Sequence, residues 1–182
     1  MLFRSVRAVN VHKRFGHLEV LRGITLDVAG GEPTLVSVAK RQVAQSPTDQ
    51  FPARILGVSP RGKPEGNAVE NPPYAFPHYR LEAVVPDVAV PVGFWRSVGH
   101  SANVFYLESF LDELAKAAGK EPMAFRQSML RAGSRDLAAL QTLATVSSWA
   151  TKVSGVGKGV AMSRSFGGTI AAAVAEIGRA HV

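Results

Sequence analysis

The strongest constraint on the fold is an apolar stripe at helical spacing in the middle of this 182-residue chain. Its members recur at i, i+3, i+7, i+10 and i+14 and so share one face of a helix: Val104, Leu107, Leu111, Leu114 and Ala118. Ser101 stands where an N-cap is expected, and Gly119 followed by Pro122 supplies the stop. The pattern predicts an amphipathic helix over residues 101–118, one side of which packs against a core.

The segments around this helix predict an α+β fold. Residues 79–85 alternate as a strand that ends at Pro86, and two helices are predicted, one from Pro122 to Gly133 and one over residues 135–151. Further elements are a loop and two strands that turn at Gly167-Gly168, with a helix through the Ala171-Ala172-Ala173 run as the alternative: residues 155–159, 160–166 and 169–174. We therefore expect amphipathic helices packed on a small, mostly antiparallel sheet, in an incomplete domain.

The N-terminal third has a different composition. Residues 6–32 contain short apolar runs separated by glycines, which predicts a β-hairpin. Residues 33–65 contain five prolines and few apolar residues, so we expect a linker or a junction between two unrelated pieces.

The composition excludes several kinds of site. The chain has no Cys, which rules out disulfides, Cys-ligated zinc, a Cys-held iron–sulfur cluster and a thiol nucleophile. No run of 18 apolar residues occurs, so no membrane span is expected. The net charge is +7, but the basic residues are scattered rather than concentrated on one element. We therefore predict no nucleic-acid partner.

The loop that leads into the long predicted helix is the candidate site. Backbone amides at a helix N-terminus bind phosphate groups, and Gly93 and Gly99 would let a ligand approach the backbone closely. Arg96 can hold an anion through two hydrogen bonds. Phe94 or Trp95 can cover a flat substrate. In the alternative interpretation, both aromatics belong to the core and Arg96 is a surface cation.

A resemblance sharpens this prediction. The pattern consists of residues 93–103 (GFWRSVGHSAN), 108–115 (ESFLDELA) and 118–122 (AGKEP), supported by residues 73–77, 125–126, 159–161 and 165–167. It resembles the molybdopterin-binding large subunit of the xanthine dehydrogenase and aldehyde oxidase family. Within that family it is most similar to the bacterial branch of isoquinoline 1-oxidoreductase β subunits. The resemblance covers about residues 66–175.

The resemblance implies cofactor contacts in this loop. In the family, the matching loop lines the molybdenum site and touches the pterin cofactor through its backbone. The cofactor is molybdopterin cytosine dinucleotide in this branch. The implied cofactor-binding residues are Trp95, Arg96, Ser97, Gly99 and His100. The pterin itself holds the metal, so no metal-ligating side chain is expected. Val98 stands where better-known relatives have a substrate-stacking Phe.

The family hydroxylates aldehydes or N-heteroaromatics with water as the oxygen source. Its general base is a glutamate in a Gly-Glu-Pro context near the C-terminus of complete members, and no such tripeptide occurs within residues 66–175. We therefore expect no catalytic residue here and no activity or cofactor retention by this piece alone. The resemblance also implies an iron–sulfur small subunit as partner, and bacterial cytoplasm or periplasm as the parent's compartment.

A second resemblance concerns the N-terminus. Residues 11–16 (VHKRFG), 20–26 (VLRGITL) and 31–32 are similar to the opening of an ATP-binding-cassette transporter ATPase, in which Phe15 would stack on adenine. No phosphate-binding loop follows, and residues 155–159 (GVGKG) lack the required spacing. Alternative functions are therefore an N-terminal fragment of such an ATPase, or a non-catalytic interaction domain.

Both termini resemble translated sequencing-adaptor DNA. Residues 176–182 back-translate to a string whose opposite strand encodes a start codon followed by residues 2–5. We expect residues 1–5 and 176–182 to derive from the adaptor rather than from a fold.

Overall fold

A computed structural model describes residues 6–15, 18–28, 34–58, 69–86, 88 and 90–177. Over these residues it contains six strands and four helices, which confirms the α+β class. In chain order the elements are β1 (Val6–Phe15), β2 (Leu18–Val28), β3 (Thr34–Val43), α1 (Pro47–Leu56), β4 (His78–Val84), α2 (His100–Ala117), α3 (Pro122–Ser128), α4 (Arg135–Val146), β5 (Val156–Ser165) and β6 (Gly168–Ile177).

The elements form two compact units. The first comprises residues 1–70 with 76–101, and the second comprises residues 71–75 with 102–182. In the part of the chain that the structure describes, no helix is long and apolar enough to cross a membrane.

The first unit is built on a four-stranded sheet in the order β1-β2-β3-β4. β1 pairs with β2 and β2 with β3 in antiparallel fashion, whereas β3 and β4 run parallel, from Ser37 opposite His78 to Val43 opposite Val84. The β1–β2 pair matches the hairpin predicted for residues 6–32, although Gly16, one of the glycines that separate its apolar runs, lies outside the described residues. The strand predicted at residues 79–85 is β4, shifted by one residue.

The linker expected over residues 33–65 differs from the structure, because residues 34–56 hold β3 and α1. The Ser46 side chain caps α1 by accepting from the Asp49 N–H, and Pro47 occupies the first turn, where its missing N–H is no loss. Gly57 ends the helix in the left-handed conformation (φ 64°). A proline that sequence reasoning counts as a breaker is here a helix start.

The second unit contains the predicted amphipathic helix. The stripe on α2 is confirmed by the burial of Leu107, Leu111 and Leu114. The helix begins at His100, one residue before the predicted start, and Gly119 follows its end with φ 66°, as expected for a helix stop. Phe110 and Ala115 extend the buried face.

Two shorter helices follow where they are predicted, although α3 ends at Ser128 rather than at Gly133. The Glu121 side chain caps α3, and Phe125 of that helix is buried. Ser134 caps α4. α4 ends at Val146 rather than at residue 151, because the chain turns at Ser148, which adopts φ 48°.

The C-terminal hairpin is longer than predicted. Residues 156–159, expected as a loop, belong to β5, and the pairing runs without a register shift from Val156 opposite Ile177 to Ser165 opposite Gly168. Phe166 and Gly167, with φ 48° and 80°, form the two-residue turn. Two positive φ values are typical of a type I′ turn. The helix alternative for residues 171–173 is wrong, since they lie in β6.

Candidate functional site

The candidate loop folds into a tight turn just before α2. The Val98 N–H donates to the Trp95 carbonyl and the His100 N–H donates to the Ser97 carbonyl, both at 3.0 Å. Ser97 and Val98 adopt left-handed backbone angles, φ 67° and 51°. Residues other than glycine rarely adopt this conformation, and strained residues of this kind concentrate at functional sites.

Two serine hydroxyls brace this turn. Ser97 Oγ donates to the Arg96 carbonyl oxygen at 2.5 Å, and Ser101 Oγ donates to the same oxygen at 2.9 Å. The two hydroxyl oxygens lie 2.5 Å apart. Ser101 is therefore not the N-cap that we predict from sequence, because it lies in the first turn of α2 and reaches back to Arg96.

The predicted cofactor-contacting side chains differ in exposure. Trp95 is 80% exposed, which excludes it from the core, and Arg96 and Ser97 are also exposed. Gly99 and His100 are half-buried. The turn thus presents an indole ring and a guanidinium group to solvent, whereas Gly99 and His100 are partly covered.

Helix α1 supports the chain that leads into the turn, a role that sequence reasoning missed. Arg54 donates to the Val92 carbonyl oxygen at 2.7 Å, and Gln45, just before α1, donates to the Val90 carbonyl oxygen at 2.8 Å. Phe51 meets Phe94 edge to face, with ring centroids 5.3 Å apart. Ser46 and Pro47 are the sequence signal for this helix.

The turn offers mainly binding groups. Residues 93–101 include a guanidinium, an indole, two hydroxyls and the His100 imidazole but no carboxylate. A Cβ built on Gly93 meets no atom within 4 Å, so the space beside this backbone is open. Such a surface fits a flat molecule that carries an anionic group.

A buried polar network in the second unit was also missed. The Arg126 side chain is fully buried, and its Nε donates to Glu108 Oε2 at 2.9 Å. Its Nη1 donates to Asp112 Oδ1 at 2.6 Å and its Nη2 to the Glu108 carbonyl oxygen at 2.9 Å. The Tyr74 hydroxyl donates to the second Glu108 carboxylate oxygen at 2.9 Å. The network joins the segment at Tyr74 to α2 and α3.

Burial dominates the electrostatics of this network. It raises the pKa of Glu108 above its usual range, although Arg126 and Tyr74 oppose that shift by donating to the carboxylate. Burial and the adjacent Glu108 charge raise the pKa of the Tyr74 phenol, which stays protonated as a donor. The available sequence signal is the i, i+4 spacing of Glu108 and Asp112, which places both carboxylates on one face of α2.

A second polar cluster ties the C-terminal hairpin to α4. The Asp136 side chain is buried in the first turn of α4 and accepts from Arg164 Nε at 2.9 Å and from the Thr169 hydroxyl at 2.8 Å. Hydrogen bonds from Arg164 hold the pKa of Asp136 below its usual range, against the opposing effect of burial. Arg135 donates to the Gly167 carbonyl oxygen at 3.0 Å and so fixes the hairpin turn.

Lys158, the lysine of the glycine-rich segment 155–159, has a structural role. Lys158 Nζ donates to the carbonyl oxygens of Ser148, Trp149 and Thr151 at 3.0, 3.2 and 2.6 Å, just beyond the C-terminal end of α4. Trp149 is half-buried rather than fully in the core, and its Nε1 donates to Glu121 at 2.7 Å. The ammonium group is thus engaged by carbonyl groups and is not arranged for a phosphate.

Two sequence features cannot be compared with the structure. The structure describes Phe15 as part of β1 but not its side chain, so its role in nucleotide binding stays a prediction. A Gly-Glu-Pro tripeptide does occur in the chain, at Gly31-Glu32-Pro33, which is N-terminal to the resembling segment and also outside the described residues.

Comparison with known proteins supports the resemblance. The chain is 29% identical over 108 residues to the isoquinoline 1-oxidoreductase subunit β of Brevundimonas diminuta, a match that covers 59% of this chain and 14% of that protein. The structure of an aldehyde oxidoreductase from Desulfovibrio gigas gives a TM-score of 0.46 at 16% identity, over 80% of this chain and 17% of that chain. No family model matches. The similarity to isoquinoline 1-oxidoreductase β confirms the predicted resemblance, and the chain spans only a small part of that relative.

Proposed function

We propose that residues 66–175 are a segment of the molybdopterin-binding subunit of a molybdenum hydroxylase, and that the turn before α2 forms part of the cofactor pocket of the whole enzyme. The identity with isoquinoline 1-oxidoreductase β over 108 residues carries this proposal. The exposure of the turn supports this proposal, because a side chain that is buried in the core cannot contact a cofactor.

The residues of the turn fit such a cofactor. Arg96 would bind an anionic group, and the exposed Trp95 ring would lie against a flat one. The open space at Gly93 leaves room for a ligand beside the backbone. Ser97, Gly99 and His100 would hold the turn in shape beneath the bound group. The cofactor supplies a molybdenum centre through its own dithiolene sulfurs, so no protein thiolate is needed.

This segment would bind and orient the cofactor rather than catalyse the reaction. The turn has no carboxylate to act as general base, and in this proposal the base comes from another part of the subunit. The complete enzyme would hydroxylate an aldehyde or an N-heteroaromatic compound and pass electrons to an iron–sulfur small subunit. The segment alone is expected to be inactive.

A chimera tests the proposal. Residues 66–175 of this chain replace the matching segment of the Brevundimonas diminuta subunit, and the molybdenum content of the purified complex is measured by mass spectrometry. We expect Arg96→Ala to lower the molybdenum content and hydroxylase activity by about tenfold or more, because a charge-assisted contact to the cofactor is lost.

Arg131→Ala is the matched control, because Arg131 is an exposed arginine in the same segment but is not part of the turn. It should leave the molybdenum content unchanged. Equal cofactor loading of the Arg96→Ala and Arg131→Ala chimeras would refute a cofactor-binding role for the turn.

A further inference from the structure

The outer edge of β6 is an unprotected strand edge. β5 and β6 form a two-stranded sheet, and within the described ranges no third strand pairs with β6. Proteins usually protect such an edge with charges, prolines or bulges. Residues 168–175 contain no charge and no proline, and the register with β5 has no bulge. This edge is therefore open to pairing with another strand.

The hairpin turn determines which backbone groups of β6 point outward. In a two-residue hairpin, the closing pair, here Ser165 and Gly168, is hydrogen-bonded, and hydrogen-bonded pairs then alternate along the ladder. Residues 168, 170, 172, 174 and 176 therefore bond to β5. The N–H and C=O groups of residues 169, 171, 173 and 175 point to the open edge.

The side chains of β6 show the same alternation. Ile170 and Val174 are each 64% exposed, and Ala172 between them is also exposed. The opposite face of the hairpin is the buried one, with Val160 and Met162 of β5 4% and 2% exposed. An aliphatic row thus lies on the solvent side of the sheet, directly beside the open edge.

We propose that β6 pairs antiparallel with β6 of a second copy of this chain, about a two-fold axis through Ala172. In this register Ile170 of one copy lies opposite Val174 of the other, so two pairs of β-branched side chains form on the exposed face. Glu176 lies opposite Gly168, so no like charges oppose each other. The two hairpins become one four-stranded sheet.

The backbone geometry allows this register, and the side chains favour it over its neighbours. With the axis at Ala172, the outward-pointing groups of Ala171 meet those of Ala173 in the other copy, and Thr169 meets Ala175. An axis at Ala171 or Ala173 also pairs outward-pointing groups, but it places Ile170 opposite Ala172 or Glu176 instead of Val174 and so loses the pairs of β-branched side chains. A shift of the axis by two residues in either direction shortens the overlap within β6, which runs from residue 168 to 177. The interaction is independent of the proposed function.

Sedimentation equilibrium of the full 182-residue chain tests dimerisation. The interface is one strand pair with one row of side chains, so we expect a weak dimer that forms at roughly micromolar or higher concentration. Ala172→Lys places two ammonium groups opposite each other on the axis and should weaken dimerisation by about tenfold or more.

Ser163→Lys is the matched control. It adds the same charge to the same exposed face, but on β5, one strand away from the interface. Dimerisation should be unchanged. A monomer at all concentrations would overturn the proposal, as would a dimer that Ser163→Lys weakens as much as Ala172→Lys does.

Cysteine cross-linking tests the register separately. The chain has no Cys, so each introduced thiol is unique. Ala172→Cys should form a disulfide between copies, because non-hydrogen-bonded pairs bring their Cα atoms to about 4.5 Å. Ala171→Cys should not, since its side chain points to the other face. A mixture of Ile170→Cys and Val174→Cys chains should give the mixed dimer, whereas cross-linking of Ala171→Cys alone would overturn the register.

Discussion

The guanidinium Nε of Arg126 lies 2.9 Å from Glu108 Oε2, and the two side chains are 0% and 5% exposed. The ion pair joins α2 to α3 inside the core of the second unit. Charges without solvent are costly to bury, and here the cost is offset by Tyr74, Asp112 and a backbone carbonyl, which complete the hydrogen bonding. Each member of the pair therefore depends on the other for its stability.

We expect Arg126→Ala to lower the free energy of unfolding by about 3–5 kcal/mol, because it leaves the Glu108 carboxylate buried without its countercharge. Urea denaturation followed by circular dichroism measures this change. Lys116→Ala, an exposed change on α2, is the control and should cost under about 1 kcal/mol. A similar small cost for Arg126→Ala would contradict the importance of the pair.

The Asp136–Arg164 pair predicts a pH dependence of stability. Arg164 holds the folded-state pKa of Asp136 below its unfolded value of about 3.9. The stabilisation is therefore complete above the unfolded pKa and is lost as the pH falls through the folded pKa. Asp136→Asn should be destabilised at neutral pH and should lose less stability than the unchanged chain on acidification.

Thermal unfolding between pH 2 and pH 6 measures this difference. Arg164→Gln removes the group that lowers the folded-state pKa of Asp136. It should therefore reduce the loss of stability on acidification, as Asp136→Asn does. An Asp136→Asn curve parallel to that of the unchanged chain would show that this carboxylate does not titrate with folding.

Local patterns predicted the elements that local forces determine. The stripe on α2 is a property of one helix face, so the spacing of Leu107, Leu111 and Leu114 was sufficient. The first half of β5 was not predicted, because the glycines at positions 157 and 159 have no side chains and so interrupt the alternation of apolar and polar residues that indicates a strand. That strand forms through pairing with residues 174–177, far along the chain.

The same distinction between local and long-range signals explains why only part of the candidate site was predicted. Its residue types drew attention to Trp95 and Arg96, whose exposure agrees with a binding surface. The serine brace depends on left-handed backbone at Ser97, a conformation that composition does not indicate. The support from Arg54 spans 38 residues of sequence and so has no local signature.

Lys158 is predicted to stabilise the chain rather than to bind a nucleotide. Its ammonium group donates to three carbonyl oxygens at 2.6–3.2 Å and lies 6.0 Å from the centroid of the Trp149 ring. Lys158→Met should lower the free energy of unfolding by about 1–3 kcal/mol, because hydrogen bonds from a charged donor are lost. Chemical denaturation checks this. Lys152→Met, at an exposed position nearby, should have little effect, and equal effects of the two would contradict the assignment.

The turn between β5 and β6 contains a residue that its conformation disfavours. Phe166 is 95% exposed and adopts φ 48° in the first position of the two-residue turn, where Asn is preferred. Phe166→Asn should therefore raise the free energy of unfolding by about 1 kcal/mol, because it relieves backbone strain and loses little packing. Phe166→Leu is the matched control, since it removes the ring without favouring positive φ, and it should give no gain. If thermal unfolding showed the same stability for both variants, the turn would not be under strain at this residue.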